Sequence, residues 1–276
     1  MRWGEKRYHS LDYELKQMFK EKVYKIALNG GMTCPNRDGH VGTGGCIFCS
    51  SQGSGDFAGS ARLSIAEQIR QGKADISSKR PVHSYIAYFQ AFTNTYAPVE
   101  TLRALYMEAI ADPEVKILSI ATRPDCLGAD VLALLDEINH IKPVWVELGL
   151  QTIHPETSAY IRRGYELSVF EQAVKELRAI GITVIVHTIL YLPGETKDDM
   201  LDTIHYLNHM DIQGIKLQLL HVLTHTDLAA DYEKHPFYIP DMQDYIQFLG
   251  TCIAQLNPEI VIHRLTGDCL LYTSDA

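Results

Sequence analysis

Six short runs of apolar, β-branched or aromatic residues alternate with longer helical patterns, and this alternation limits the chain to few folds. It is typical of repeated strand-helix units around a parallel sheet. The runs are residues 23–29, 84–90, 117–122, 144–151, 183–190 and 215–220. The helical patterns that follow them cover residues 65–73, 99–111, 129–140, 155–162 with 170–180, and 197–210.

Several of the runs are almost continuously apolar, as in Val-Ile-Val-His-Thr-Ile-Leu at residues 184–190. Such a strand is expected to be covered by helices on one face and by a packed interior on the other. Six units fall short of the eight that close a full barrel. We therefore predict an α/β fold with a partial, three-quarter, six-stranded TIM-like parallel barrel. A doubly wound sheet is the alternative, because periodicity does not separate the two.

The segments outside these units suggest how the chain is organised. Residues 10–19 are predicted to form a helix that caps the first strand, and residues 245–256 a late helix before the apolar run 260–263. We expect an N-terminal helical cap over 1–22, the barrel over 23–222 and a C-terminal extension over 223–276. Residues 269–276 carry no periodic signal and are interpreted as a truncated or artefactual end.

Charge and hydropathy exclude some classes of partner. Lys and Arg number 25 against 34 Asp and Glu, so the formal net charge is −9. This balance argues against broad phosphate binding. No apolar run reaches the length of a membrane span, and the first 30 residues are too charged for a signal peptide. We expect a cytoplasmic protein without a membrane partner, in which clustered cysteines bind metal rather than form disulfides.

Three cysteines are concentrated on the loop after the first predicted strand. Cys34, Cys46 and Cys49 are spaced C-x11-C-x2-C, and glycines lie among them. In α/β folds the loops at the carboxyl ends of the strands converge to build active sites. Three thiolates satisfy three irons of a 4Fe–4S cluster and leave the fourth open. A structural zinc site with His40 as fourth ligand is the alternative.

The chain resembles the radical S-adenosylmethionine (SAM) superfamily, in which three cysteines on this loop hold the cluster and SAM chelates the open iron. Phe48 stands before the last cysteine, where an aromatic residue is usual. The long first gap, together with Lys-Val-Tyr-Lys25 and Thr-Cys34-Pro-Asn-Arg-Asp-Gly39, resembles the YhcC-type subfamily, a relative of the radical SAM part of the Elongator catalytic subunit. The resemblance covers roughly residues 6–268, and Arg264-Leu-Thr-Gly-Asp268 also matches.

The resemblance implies an enzyme that reductively cleaves SAM at a 4Fe–4S cluster to a deoxyadenosyl radical. It implies an external electron donor and an unidentified substrate. RNA is suggested as the substrate only by analogy with the Elongator relative. The resemblance also implies a set of SAM contacts: Gln90, Thr93 and Asn94 after the second strand, and Gln151 and Arg163 after the fourth. Helix capping is the alternative for Thr93 or Asn94, and a solvated cation near Glu166 is the alternative for Arg163.

Other polar residues at strand ends have more than one interpretation. Arg123 and Asp125 are interpreted either as a paired loop brace or as substrate contacts, and Cys126 as a packed residue or, alternatively, as a second nucleophile. Lys216 and Gln218 share one face of the sixth strand and, with His221, are candidates for handling substrate. The sequence shows no Ser-His-Asp motif of the kind that would indicate a hydrolase. A non-enzymatic module that binds zinc or a cluster is the alternative function.

Overall fold

Seven parallel strands form one curled sheet in the computed structural model of the chain, which describes residues 2–53, 55–78 and 82–267. The strands are β1 (Tyr24–Leu28), β2 (Tyr85–Phe89), β3 (Val115–Thr122), β4 (Val144–Gln151), β5 (Thr183–Leu190), β6 (Gly214–Leu219) and β7 (Val261–Arg264). Their order in the sheet follows the chain, and every neighbouring pair is parallel. The predicted partial barrel is confirmed, and the doubly wound alternative is excluded by this strand order.

The sheet has one strand more than the six predicted. The apolar run at 260–263 forms β7, which pairs with β6 through Gly214 and Val261. This strand is only four residues long, so its sequence pattern is too short to be told from a loop. The predicted anomaly at 269–276 lies outside the described residues.

Helices cover the outer face of the sheet. They are α1 (Leu11–Phe19), α2 (Ile65–Ser77), α3 (Val99–Ile110), α4 (Ala129–Asn139), α5 (Pro155–Tyr160), α6 (Leu167–Ala179), α7 (Lys197–Leu207), α8 (Asp227–Lys234) and α9 (Met242–Gln255). Side chains of the outer strand faces, such as Ile26 and Leu118, form the main core with helix residues such as Leu102 and Leu135. Burial of this apolar area is the main stabilising contribution to such a fold.

The amino ends of the strands are closed by α1. Leu15 of this helix packs with Val23, Ile86, Trp145 and other inward-facing residues in a second, smaller core. Ser10 caps the helix by accepting from the backbone N–H of Tyr13. One end of the half-barrel is therefore filled with apolar side chains, and the carboxyl ends of the strands form the open mouth. No helix of the described ranges is long and apolar enough to cross a bilayer.

Candidate functional site

A cleft of about 190 Å³ opens at the mouth of the half-barrel, between the loops that follow the strands. Seven of the predicted site residues line it: Cys34, Cys46, Cys49, Phe48, Gln90, Thr93 and Gln151. The three cysteines, which the loop after β1 carries, therefore face the same space as polar groups from the ends of β2 and β4.

Hydrogen bonds from Asn36 and Arg37 hold the cysteine loop in place. The Asn36 amide donates to the sulfur of Cys46 at 3.5 Å and to the carbonyl of Arg162 at 2.6 Å. Arg37 donates to the carbonyl of Ser50 at 2.5 Å. Gly45 has φ +89°, and a Cβ there would lie 2.9 Å from Arg37 Nε, so the loop needs glycine at this position. Sequence reasoning did not identify Asn36, whose partner is more than a hundred residues away.

The thiols of Cys46 and Cys49 form a hydrogen-bonded pair with unequal acidity. The Cys49 thiol donates to Cys46 and, with the charge of Arg123 and against the effect of burial, lowers the pKa of Cys46 to about 7. The pKa of Cys49 is raised well above its usual value by the same bond and by burial. Because thiolates are the ligands of iron and zinc, this lowered pKa favours metal binding by Cys46 at neutral pH.

His40 lies away from the cysteine thiols. It is exposed, and its ring centroid is 6.3 Å from that of Tyr96 in a separate cavity. Across the described residues, no three His, Cys, Asp or Glu side chains surround one metal-ion position. Among the described residues, neither the three cysteine thiols alone nor the thiols together with His40 form a preassembled metal-ion site, and His40 faces a separate cavity.

A bulge at the end of β4 turns Gln151 toward the cleft. The pairing with β5 shifts register between Gly149 and Gln151, and Gln151 has φ +69°. Phe92, which follows β2 and also lines the cleft, has φ +62°. Left-handed backbone at residues other than glycine costs energy and is concentrated at functional sites. Two of the six described non-glycine residues with left-handed backbone therefore line this cleft.

Two of the predicted SAM contacts, Asn94 and Arg163, lie outside the lining of the cleft and donate to backbone carbonyls. The Asn94 amide is fully buried and donates to the carbonyls of Phe89 and Ala121 at 3.1 and 2.9 Å. Arg163 is 4% exposed. It donates to the carbonyls of Leu150 at 3.0 Å, Thr152 at 2.6 Å and Tyr165 at 3.2 and 3.1 Å. Four of its five N–H groups are thus used, and a two-pronged bond to a carboxylate is not available.

We expect Arg163→Met to lower the free energy of unfolding by about 3 kcal/mol, because it removes charged donors from buried carbonyls. The neighbouring Arg162→Met is the matched control. Arg162 is half-exposed and pairs with Asp227 at the surface, so its loss is expected to cost below about 1 kcal/mol. Urea unfolding followed by circular dichroism measures both. Equal costs for the two variants would contradict the bracing role of Arg163.

Arg123 and Asp125 form the predicted loop brace. Arg123 donates to both carboxylate oxygens of Asp125, at 2.9 and 2.7 Å, and to the carbonyl of Arg163 at 2.8 Å. Cys126 lines the cavity that contains His40, and burial raises the pKa of its thiol to about 12. Cys126 is therefore a packed, unreactive thiol, in agreement with its interpretation from the sequence.

Below the cysteines, inward-facing side chains from six strands form a buried polar network around Glu147. The carboxylate of Glu147 is fully buried and accepts from Lys25, Ser119 and His187, each at 2.7 Å, and from Lys216. Lys216 also donates to the hydroxyl of Tyr88 at 3.1 Å. A carboxylate offers about four acceptor sites. Glu147 is saturated, and two lysines share one negative charge.

The ionisation of this network follows from its burial. Burial alone would raise the pKa of Glu147, but the charges of Lys216 and Lys25 hold it well below its usual range. Burial lowers the pKa of His187 to about 4 and that of Lys216 to about 7. His187 is thus neutral and donates through Nε2. Sequence reasoning predicted Lys216 and Gln218 in the barrel interior but gave no role to Glu147 or Lys25.

Comparison with known proteins agrees with this geometry. The profile of the radical SAM superfamily matches residues 36–207, and that of the radical SAM C-terminal domain matches residues 212–271. The protein YtqA of Bacillus subtilis is 46% identical over 264 residues, which are 96% of this chain and 82% of YtqA. The protein YhcC of Escherichia coli is 37% identical over 256 residues, which are 92% of this chain and 81% of YhcC.

The fold resembles solved structures of much lower sequence identity. The archaeal Elp3 of Methanocaldococcus infernus matches with a TM-score of 0.67 at 15% identity, over 88% of this chain and 55% of that one. This likeness supports the fold alone. The superfamily profile covers more than half of the chain, and two relatives are well above 30% identical over most of its length. The chain belongs to the radical SAM superfamily.

Proposed function

We propose that this protein cleaves SAM reductively at a 4Fe–4S cluster held by Cys34, Cys46 and Cys49, and that the resulting radical acts on a substrate in the same cleft. One observation carries the proposal: three cysteines of one loop line a single cleft at the mouth of a parallel half-barrel, together with polar groups from two other strand ends. Superfamily membership supports an enzyme of this class.

The donor set fits an iron–sulfur cluster. Thiolates are the ordinary ligands of such clusters, and the hydrogen bond from Asn36 to the Cys46 sulfur is the kind of contact that tunes them. A reduced cluster with one open iron would supply the electron that cleaves SAM to methionine and a deoxyadenosyl radical. This electron has to come from an external donor.

The remaining residues of the cleft are expected to bind SAM and to enclose the reaction space. The carboxamides of Gln90 and Gln151 can donate to and accept from hydroxyl and amino groups of SAM, and Thr93 adds a hydroxyl. Phe48 and Phe92 give the cleft apolar walls. These walls exclude water from the space in which a radical must survive until it meets its substrate. Arg163 and Asn94 position the loops rather than touch SAM.

We expect the full chain, reconstituted with iron and sulfide without oxygen, to release deoxyadenosine and methionine when given SAM and a strong reductant. Release is expected even without substrate, because an idle radical is eventually quenched. Liquid chromatography measures both products, and visible absorbance with iron and sulfide assays measures the cluster. Calorimetry measures SAM binding separately.

The alternative function predicts a different result. A well-folded protein that takes up stoichiometric zinc, refuses iron and sulfide, and does not bind SAM would overturn the proposal. The barrel would then be a scaffold for a metal-binding module. Slow release of deoxyadenosine would still support the proposal, provided that it depends on SAM, on reductant and on the cluster.

A further inference from the structure

The charges that line the cleft are opposite in sign to the chain as a whole. The formal net charge is −9, whereas the described residues that line the cleft include four cations and one carboxylate. The cations are Arg37, Arg123, Lys216 and Arg264, and the carboxylate is Glu147. A positive cleft on an acidic protein concentrates anions and steers them inward. The sign of the lining therefore indicates anionic ligands.

The cations occupy two separate parts of the cleft. Arg37 and Arg123 brace the cysteine loop and Asp125, as described above, so their charges are placed beside the thiolates. Lys216 lies three residues before the end of β6, which places it roughly 10 Å below the mouth along the strand. The anionic groups expected next to the cysteines therefore do not account for Lys216.

Lys216 has capacity for one more partner. Two of its three N–H groups are directed to Glu147 and to the Tyr88 hydroxyl, and among the described residues no acceptor takes the third. Two residues nearer the mouth, on the same face of β6, the amide of Gln218 also lines the cleft. Because Glu147 is saturated and Lys25 shares its charge, the second positive charge is compensated by no carboxylate of the network. A buried charge without compensation is unfavourable, and an anion would relieve it.

A second cavity adjoins the cleft. It has a volume of about 140 Å³ and shares several lining residues with the cleft, among them Phe48, Gln90 and Gln218. His221 lines this second cavity, and its Nε2 atom is buried without a hydrogen-bond partner in the described structure. Polar groups of β6 and the loop after it therefore run from the floor of the cleft into the side cavity.

We propose that Lys216 and Gln218 bind an oxyanion, a carboxylate or a phosphate group, that the substrate carries. The rest of the substrate then extends along β6 toward the side cavity, next to SAM. The inference rests on the proposed function only in taking the bound molecule to be the substrate. It is supported by the lowered pKa of Lys216, since a lysine that is costly to protonate without a ligand gains most from an anion beside it.

The test measures sulfate binding to the cluster-free full chain by calorimetry, at constant ionic strength and mildly acidic pH. Saturable binding is expected in the wild type. Lys216→Gln removes the charge and is expected to weaken it roughly 10- to 100-fold, whereas Gln218→Leu is expected to weaken it roughly threefold to tenfold. Gln218 is not part of the buried network, so this second variant keeps the test valid if Lys216→Gln does not fold.

Lys73→Gln is the matched control. Lys73 also contacts carboxylates, Asp112 at 2.6 Å and Glu114 at 2.7 Å, and lies 5.3 Å from the centroid of the Tyr85 ring, but it does so outside the cleft. Its loss is expected to leave sulfate binding unchanged. Inorganic phosphate and succinate, titrated in the same way, distinguish a phosphate ester from a carboxylic acid as the natural ligand.

No saturable binding in the wild type, or equal binding in wild type, Lys216→Gln and Gln218→Leu, would overturn the inference. The second result would place the anion at the other cations of the cleft, Arg37, Arg123 or Arg264. If the reconstituted enzyme releases deoxyadenosine while sulfate does not bind, the proposed function stands and this inference falls. If sulfate binds as expected while no cluster forms, the anion site stands without the radical reaction.

Discussion

Cys46→Ala is expected to abolish cluster assembly and to reduce deoxyadenosine release to the background without enzyme. The two remaining thiolates leave a second iron without a protein ligand, so the arrangement with one open iron for SAM is lost. Cys46 is also the cysteine whose pKa falls to about 7, and its sulfur accepts from Asn36. Iron and sulfide content, visible absorbance and product chromatography measure the loss.

Cys126→Ala is the matched control for this variant. Cys126 lies close to the same loop but lines the separate cavity with His40 and Tyr96, and its thiol stays protonated. Its removal is expected to leave iron content and deoxyadenosine release at the wild-type level. Loss of the cluster in both variants would mean that the site is disrupted by any change near this loop, and full activity in Cys46→Ala would exclude this cysteine as a ligand.

The parts of the site that the sequence predicts are those encoded locally. The spacing of Cys34, Cys46 and Cys49 is visible in one short segment, and its position after a strand puts it at the mouth of any parallel barrel. Gln151 ends a strand in the same way and lines the cleft as expected. Strand ends meet at one edge of the sheet whatever the details of packing.

The differences concern residues whose surroundings depend on tertiary packing. Arg163 lies at the separation from Gln151 that the resemblance requires, and a turn of the chain directs its guanidinium to the backbone carbonyls of Leu150 and Thr152. The Asn94 amide donates in the same way to the carbonyls of Phe89 and Ala121. Linear spacing does not reveal which backbone carbonyls a side chain contacts.

The Glu147 network was beyond sequence reasoning for a related reason. Its lysines are far from Glu147 along the chain: Lys25 is 122 residues away, and Lys216 is separated from it by two helical crossovers and the intervening strand β5. Each of these polar residues, taken alone, is an isolated departure from the apolar pattern of its strand. Only the curl of the sheet brings the inward faces of the strands together and turns these exceptions into one network.

We expect Glu147→Gln to lower the free energy of unfolding by about 3 to 5 kcal/mol, because it removes the counter-charge of the buried Lys216 and of the partly exposed Lys25. The size of the side chain is preserved, so cavity formation does not contribute. The pKa of Glu147 is held well below its usual value, so its stabilising effect is complete at neutral pH and is lost only as the pH falls through that lowered value. Urea unfolding at neutral pH is the measurement.

Glu137→Gln is the matched control, because Glu137 pairs with Arg103 on the surface, where such a contact is worth below about 1 kcal/mol. The double variant Glu147→Gln with Lys216→Met tests the cause directly. Removing one cation together with the carboxylate restores the balance of charge, so the pair is expected to cost less than the sum of the two single changes by more than about 1 kcal/mol. Strict additivity would mean that the lysines are hydrated in the folded protein, and the positive floor of the cleft would then have no unmet need for an anion.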